Sequence, residues 1–188
     1  MSFRRGDLRR RGCGGSTRVY IGSVQFQGQV WFDFSDRSVW EFYRFVREVA
    51  AQGDVVNLDW RPLPAPGQES IASAYLSLVV PGDRGRFLHA ALGLVHLEGA
   101  DPADPSTLAA AAAASGLEVD ASVDAAALDG LRGDAADLGV VAVPTVYRHG
   151  PVVRVVLNGA ATLGDVRTRA RTIWAMLDDD GIWELRKP

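Results

Sequence analysis

Cysteine, lysine and histidine are scarce in this sequence. Cys13 is the single cysteine among 188 residues, so no internal disulfide, two-cysteine redox centre within one chain or cysteine-rich zinc site is expected. The three histidines, His89, His96 and His149, are too few for a histidine metal cluster, and we predict no metal site. No apolar run approaches the roughly 20 residues of a membrane helix, so we expect no membrane association.

Basic charge is concentrated at one end of the chain. Residues 1–18 carry six arginines and one acidic residue, whereas the remainder holds 14 basic and 22 acidic side chains. The first segment is rich in Gly and Arg, so we expect a disordered basic tail with Cys13 as an exposed thiol. The acidic remainder argues against nucleic acid as a partner. The first residues lack the apolar stretch of a secretion signal, so the expected location is cytoplasmic.

Hydrophobic patterning predicts strands at both ends of the chain and helices in the middle. Gln27-Gly28 separates the first two strands, which could form a hairpin. The predicted strands are 19–26, 29–34, 55–60, 140–147 (interrupted at Pro144) and 152–157. The predicted helices are 38–51, 69–80, 84–97, 106–114, 124–128, 134–138 and 165–177, with Ser106 as the N-cap of the fourth. A short extended tail is predicted at 181–187.

This order of elements predicts an α/β protein with a mixed sheet. A β-α-β unit at 19–60 should form a right-handed parallel crossover. A helical insertion at 68–139 follows, and 140–188 should add an antiparallel hairpin and a closing helix. Val39, Phe42, Val46 and Val49 share one helix face. The aromatic residues expected to form core rather than a ligand cage are Trp31, Trp40, Phe42, Tyr43 and Trp60.

Two segments resemble a known family. Residues 30–40, Val-Trp-Phe-Asp-Phe-Ser-Asp-Arg-Ser-Val-Trp, resemble the strand-to-helix turn of DsbA-like proteins. Val-Ala-Val-Pro-Thr at 141–145 resembles their Gly-Val-Pro-Thr loop, whose proline is cis. Asp-Trp-Arg-Pro at 59–62 is a weaker match, and 173–187 resembles actinobacterial members, including mycothiol-dependent reductases. The resemblance implies a thioredoxin fold with a DsbA-like helical insertion over residues 19–187.

The sequence departs from this family at its redox motif. Asp36 stands where the nucleophilic cysteine would be, and Val39 where the second would be, so the dithiol chemistry of the family is not expected. In the related kappa-class glutathione transferases and hydroxychromene-carboxylate isomerases a serine occupies the first position. A small slip in the alignment would bring Ser35 or Ser38 into that role.

A helix is predicted to begin at the turn 35–38, and two arrangements could cap its N-terminus. Asp36 could accept hydrogen bonds from first-turn amides, or Ser38 could pair with Glu41 in a capping box. Asp36, Ser35 and Ser38 are the candidate catalytic residues, although the sequence indicates no second titratable group near Asp36. Following the resemblance, the ligand-binding candidates are Arg37, Trp40, Val143, Pro144 and Thr145.

Three functional hypotheses follow. In the first, a redox-inactive protein binds a peptide or small molecule in the groove between the turn and the proline loop, or acts through a homodimer face. In the second, the groove holds mycothiol or glutathione for a transferase or isomerase. In the third, the protein holds a polyketide-like substrate in a specialised metabolic pathway, with the loop at 61–67 and the helical block forming the pocket.

Overall fold

The computed structural model describes residues 25–120, 122–149, 152–157, 166–177 and 184–186. The predicted basic tail with Cys13, the predicted strand residues 19–24 and the acidic run 178–180 lie outside the described residues. In the described ranges, no helix is both long enough and apolar enough to cross a membrane.

Strands at either end of the described chain enclose a helical block. The strands are β1 (Gln25–Phe32), β2 (Val55–Pro62), β3 (Thr145–Tyr147), β4 (Val153–Val156) and β5 (Glu184–Arg186). The helices are α1 (Arg37–Ala51), α2 (Glu69–Ser77), α3 (Pro81–Leu97), α4 (Pro105–Ser115), α5 (Ala125–Asp137) and α6 (Val166–Leu177).

The strands form one mixed sheet in the order β2-β1-β3-β4-β5. β1 pairs parallel with β2 across the α1 crossover, and it pairs antiparallel with β3 on its other side. β3 and β4 are antiparallel, and β5 lies parallel to β4. The predicted mixed sheet is confirmed, and the predicted extended segment at 181–187 contains the edge strand β5.

The predicted break at Gly28 is wrong, because Gly28 lies inside the single strand β1. A Cβ atom at this position would lie 2.7 Å from the carbonyl oxygen of Tyr147, the last residue of β3. Glycine is therefore required by the close approach of a neighbouring backbone, not by a turn.

Three further boundaries differ from the sequence prediction. The two short helices predicted at 124–138 form one helix, α5, whose first turn is capped by Asp124 and whose two halves are anchored by buried Leu128 and Ala135. The cap of α4 is Asp104, which accepts from the Ser106 amide, so Ser106 is not the N-cap. The strand predicted from residue 140 begins only at Thr145, because 140–144 is irregular up to the cis peptide.

Helix α1 packs into two apolar cores. Its Val39, Trp40 and Tyr43 join residues of α2, α3 and α4 in one core. Its Phe42, Phe45, Val46 and Val49 join residues of β1, β3, β4 and α6 in the other. Trp31, Trp40, Phe42 and Tyr43 are all buried as predicted, and Trp60 packs against both cores.

We predict that Gly28→Ala destabilises the fold by about 1–3 kcal/mol, because the added methyl group overpacks the contact with Tyr147. Urea denaturation followed by tryptophan fluorescence measures the change. The control is Gly130→Ala inside α5, where a Cβ meets nothing within 4 Å and alanine should stabilise the helix by about 1 kcal/mol. Equal stability of Gly28→Ala and the wild type would contradict the close approach.

Candidate functional site

A cleft of about 370 Å³ lies between the β1–α1 turn and the segment before β3. The Val143–Pro144 peptide bond is cis, and the Ser38 hydroxyl lies 3.4 Å from the Val143 carbonyl oxygen. The predicted groove is thus formed by these two segments and by the loop after β2. The cleft is lined by Asp33, Ser35, Asp36, Leu63, Pro64, Ala65, Val140, Val141, Ala142 and Val143.

Asp36 caps the start of α1. Its Oδ1 accepts hydrogen bonds from the Ser38 amide at 2.7 Å and from the Ser38 hydroxyl at 2.5 Å. The alternative capping box of Ser38 with Glu41 is wrong, because the Glu41 carboxylate instead pairs with Arg37 at 2.8 Å and Arg44 at 3.6 Å. A carboxylate at a helix N-terminus is stabilised by the unpaired amides of the first turn.

Asp33 connects the β1–α1 turn to the loop after β2 through hydrogen bonds. This residue is only 8% exposed, and its Oδ1 accepts from both the amide and the hydroxyl of Ser35 at 2.6 Å. Its Oδ2 accepts from the Ala65 amide at 2.8 Å, and Gln68 Nε2 donates to the Ser35 hydroxyl oxygen at 3.0 Å. The sequence analysis did not identify Asp33 or Gln68 as site residues, although an aspartate directly after a buried strand is a signal for such a role.

His96 is a titratable group close to Asp36, which the sequence analysis did not anticipate. Its ring stacks on Trp40 with centroids 5.9 Å apart. Its own carbonyl accepts from Arg37 Nη1 at 3.2 Å. Burial, and then the charge of Arg37, lower the pKa of His96, while the Phe34 backbone and the nearby Asp36 and Asp33 act in the opposite direction.

The other predicted ligand-binding residues lie behind the cleft or beside it. Trp40 and Thr145 are 5% and 3% exposed, and the Thr145 hydroxyl donates to the Ala142 carbonyl. Pro144 is buried, and its carbonyl accepts from Val155 in β4. Arg37 is exposed and engaged with Glu41 and the His96 carbonyl. Of the five, Val143 is the one that lines the cleft.

Solved structures of other proteins resemble the fold of this chain. Neither a protein-family model nor a curated protein sequence matches the chain. Proteus mirabilis ScsC, crystallised in a transitional conformation, is similar with a TM-score of 0.56 and 14% identity, over 80% of this chain and 68% of that one. This chain has a thioredoxin fold of the DsbA-like type. Salmonella enterica serovar Typhimurium DsbL matches with a TM-score of 0.47 and 14% identity, over 82% of this chain and 89% of that one.

Within this thioredoxin fold, the three candidate catalytic residues differ in their surroundings. The Ser38 hydroxyl donates a hydrogen bond to Asp36 in the helix cap. Ser35 is exposed on the cleft wall, and its hydroxyl donates a hydrogen bond to Asp33. No group of three or more His, Cys, Asp or Glu side chains among the described residues is arranged to hold a metal ion.

We predict that Asp36→Ala lowers the free energy of unfolding by about 1 kcal/mol, because the first turn of α1 loses its cap. Asp36→Asn should cost much less, since asparagine caps helices as well as aspartate does. Urea denaturation of the two variants and the wild type tests this. If alanine and asparagine cost the same, the cap does not stabilise the helix.

The lowered pKa of His96 predicts a pH-dependent stability. In the unfolded chain the imidazole binds a proton near its ordinary pKa of 6.5, whereas in the folded chain it does so only at lower pH. The unfolded state therefore binds more protons below about pH 6.5, and stability should fall as the pH drops from about 7.5 to about 5.5.

His96→Gln should flatten this pH profile, as measured by urea denaturation across that range. Burial and the charge of Arg47 also lower the pKa of His89, so the double variant with His89→Gln should give the flattest profile. A His96→Gln profile as steep as that of the wild type would mean that His96 titrates equally in both states.

Proposed function

We propose that this protein binds an extended polypeptide in the cleft between the β1–α1 turn and the cis-proline loop, without dithiol chemistry. The observation that carries the proposal is the unpaired backbone at the edge of the cleft. Among the described residues, no acceptor pairs with the amides of Val141 or Val143, and no donor pairs with the Val141 carbonyl. Val141 is 96% exposed at this edge.

Exposed backbone of this kind pairs with an added strand. Main-chain hydrogen bonds supply affinity in such complexes, and nearby pockets select side chains. The volume of about 370 Å³ suits one or two side chains, and the apolar wall of Leu63, Pro64 and Val140 offers them a surface. This mode of binding requires no cysteine, so it is compatible with Asp36 in the turn.

The residues in the turn support the absence of dithiol exchange. Attack on a disulfide requires a thiolate, and a second thiol must resolve the mixed disulfide. The turn presents Asp36 and Ser38 at its helix start, and Val39 is fully buried in the core. The one cysteine of the chain, Cys13, is distant from this turn in sequence.

The same residues disfavour a thiol cofactor. The Asp36 carboxylate occupies the helix N-terminus, where a bound thiolate of mycothiol or glutathione would otherwise be stabilised, and like charges repel. Arg37 could offset this repulsion, but its guanidinium is held by Glu41 and the His96 carbonyl. The thiol-dependent transferase or isomerase is therefore the weaker alternative.

An amide-resolved NMR titration tests the proposal. The probe is the acetylated and amidated pentapeptide Thr-Val-Gln-Val-Thr, whose β-branched residues favour an extended backbone. Saturable shifts of the amides of Val141, Ala142 and Val143 and of the turn at 35–37 are expected. Mycothiol and glutathione, titrated separately, should cause no saturable shift there; shifts with a thiol and none with the peptide would favour the enzyme alternative.

A matched pair of variants locates the contact. Val143→Pro removes the backbone amide and should weaken peptide binding by about tenfold, the magnitude of one hydrogen bond with its desolvation. Val143→Ala keeps the amide and should bind the peptide within about twofold of the wild type, since it alters only the side chain. Equal affinity of both variants, with wild-type spectra elsewhere, would contradict pairing through this amide.

A further inference from the structure

We propose that the arginine-rich segment 3–11 docks on the helical insertion of its own chain, in a cavity between α2 and residues 120–127. This insertion cavity shares no lining residue with the cleft at the cis-proline loop, so the inference is independent of the proposed function. Three features support it: the separation of opposite charges along the chain, the apolar and polar groups of the cavity, and the residue pattern of the segment.

Opposite charges are concentrated in two separate parts of the chain. Residues 98–138 contain nine acidic residues and one basic residue, whereas residues 1–18 contain six arginines and one acidic residue. In the rest of the chain the acidic and basic residues are equal in number. Of the nine acidic residues, only Asp129 and Asp134 pair with an arginine among the described residues. The insertion therefore attracts a basic segment.

The insertion cavity combines apolar walls with this acidic surface. Its volume is about 540 Å³, and its lining includes the apolar Leu76 and Val123 as well as Asp120 and Asp124. Val123 is 49% exposed, and Val79, two residues after the end of α2, is 87% exposed. An apolar surface within an acidic region fits a segment that carries apolar and basic side chains together.

Ser73 supplies the insertion cavity with a hydrogen-bond donor. Its side chain is among those that line the cavity, although the residue is only 2% exposed. The hydroxyl oxygen accepts from the Asp124 amide at 3.0 Å, and no described residue accepts the hydroxyl proton. A backbone carbonyl of a docked segment would accept it, which favours a polypeptide as the occupant.

The segment 3–11 has the matching pattern. Phe3 is followed by Arg4 and Arg5, and Leu8 is followed by three arginines, 9–11. Phe3 or Leu8 would bury apolar surface against Leu76 and Val123. The arginine side chains would lay their aliphatic stems along the same surface while their guanidinium groups meet carboxylates.

The connecting chain is long enough for docking within one molecule. Arg11 and Gln25, the first described residue, are 14 positions apart, and such a stretch spans up to about 46 Å. A folded domain of this size has a radius of gyration of about 15 Å, so the segment can reach any face. A short flexible connection also gives the segment an effective concentration in the millimolar range, which favours its own chain over a second copy.

A spin label on Cys13 of the full chain tests the docking. Cys13 is the single cysteine and lies two residues after Arg11, so a nitroxide attached to it reports the position of the segment. At low salt we expect the label to broaden the amide signals of residues 73–77 and 122–127, and high salt should weaken the effect. Absent broadening at these amides, or equal broadening over the whole surface, would contradict the docking.

Two matched variants locate the contact. Val123→Lys places a cation at the insertion cavity and should lower the docking equilibrium constant by about threefold, the magnitude of one partly exposed charge interaction. Val55→Lys adds the same charge at the start of β2, where the valine is equally exposed, at 48%, and should leave the docking unchanged. Equal effects of the two variants would mean that the segment responds to the net charge of the protein and not to the cavity.

A variant of the segment tests the apolar contribution. Phe3→Ser combined with Leu8→Ser keeps all six arginines and should weaken the broadening at the insertion cavity. Unchanged broadening in this double variant would show that charge alone holds the segment, and docking in the cavity would be wrong.

A mixture of two chains distinguishes the occupants. An isotope-labelled Cys13→Ser chain is mixed with a spin-labelled chain at natural isotope abundance, so that broadening arises only between molecules. We expect no broadening in this mixture, in contrast to the chain that carries both labels. Broadening in the mixture would overturn docking within one chain and assign the insertion cavity to the segment of a second copy.

Discussion

The structure depends on the anchoring of helix α1 between two cores. Seven of its residues are buried, and they are divided between a core with the helical insertion and a core with β1, β3, β4 and α6. Its first turn is held by Asp36, and the turn before it is held by Asp33. Because one rigid helix joins both cores, the position of its N-terminus, and therefore of the cleft, is determined by packing on both sides.

The hydrogen bonds of Asp33 connect this helix to the rest of the cleft. A single buried carboxylate accepts from the Ser35 turn and from the loop that follows β2. Both carboxylate oxygens of Asp33 are satisfied in this way, whereas Gln68 Oε1 has no donor among the described residues. A network of this kind rigidifies a site in the absence of ligand, so less conformational entropy would be lost when a ligand binds.

The aspartate at the start of α1 determines what this helix N-terminus can do. In a cysteine-containing turn, the positive end of the helix stabilises a thiolate. Here the Asp36 carboxylate lies at the positive end of the helix and caps its first turn. The start of α1 therefore carries a carboxylate of its own, while Val141, close to the cis peptide, is exposed.

Local patterns in the sequence determined much of this protein. The 3.6-residue spacing of apolar residues predicted α1, and the order of strands and helices predicted the mixed sheet, because both depend on residues close together in the chain. The motifs around Asp36 and Pro144 located the cleft. The tertiary structure alone decided that Gly28 lies inside β1, since the reason is a contact with Tyr147, more than a hundred residues away. It also decided that Gln68 and His96 meet the turn, because long-range packing, not local periodicity, brings helices of the insertion to that end of α1.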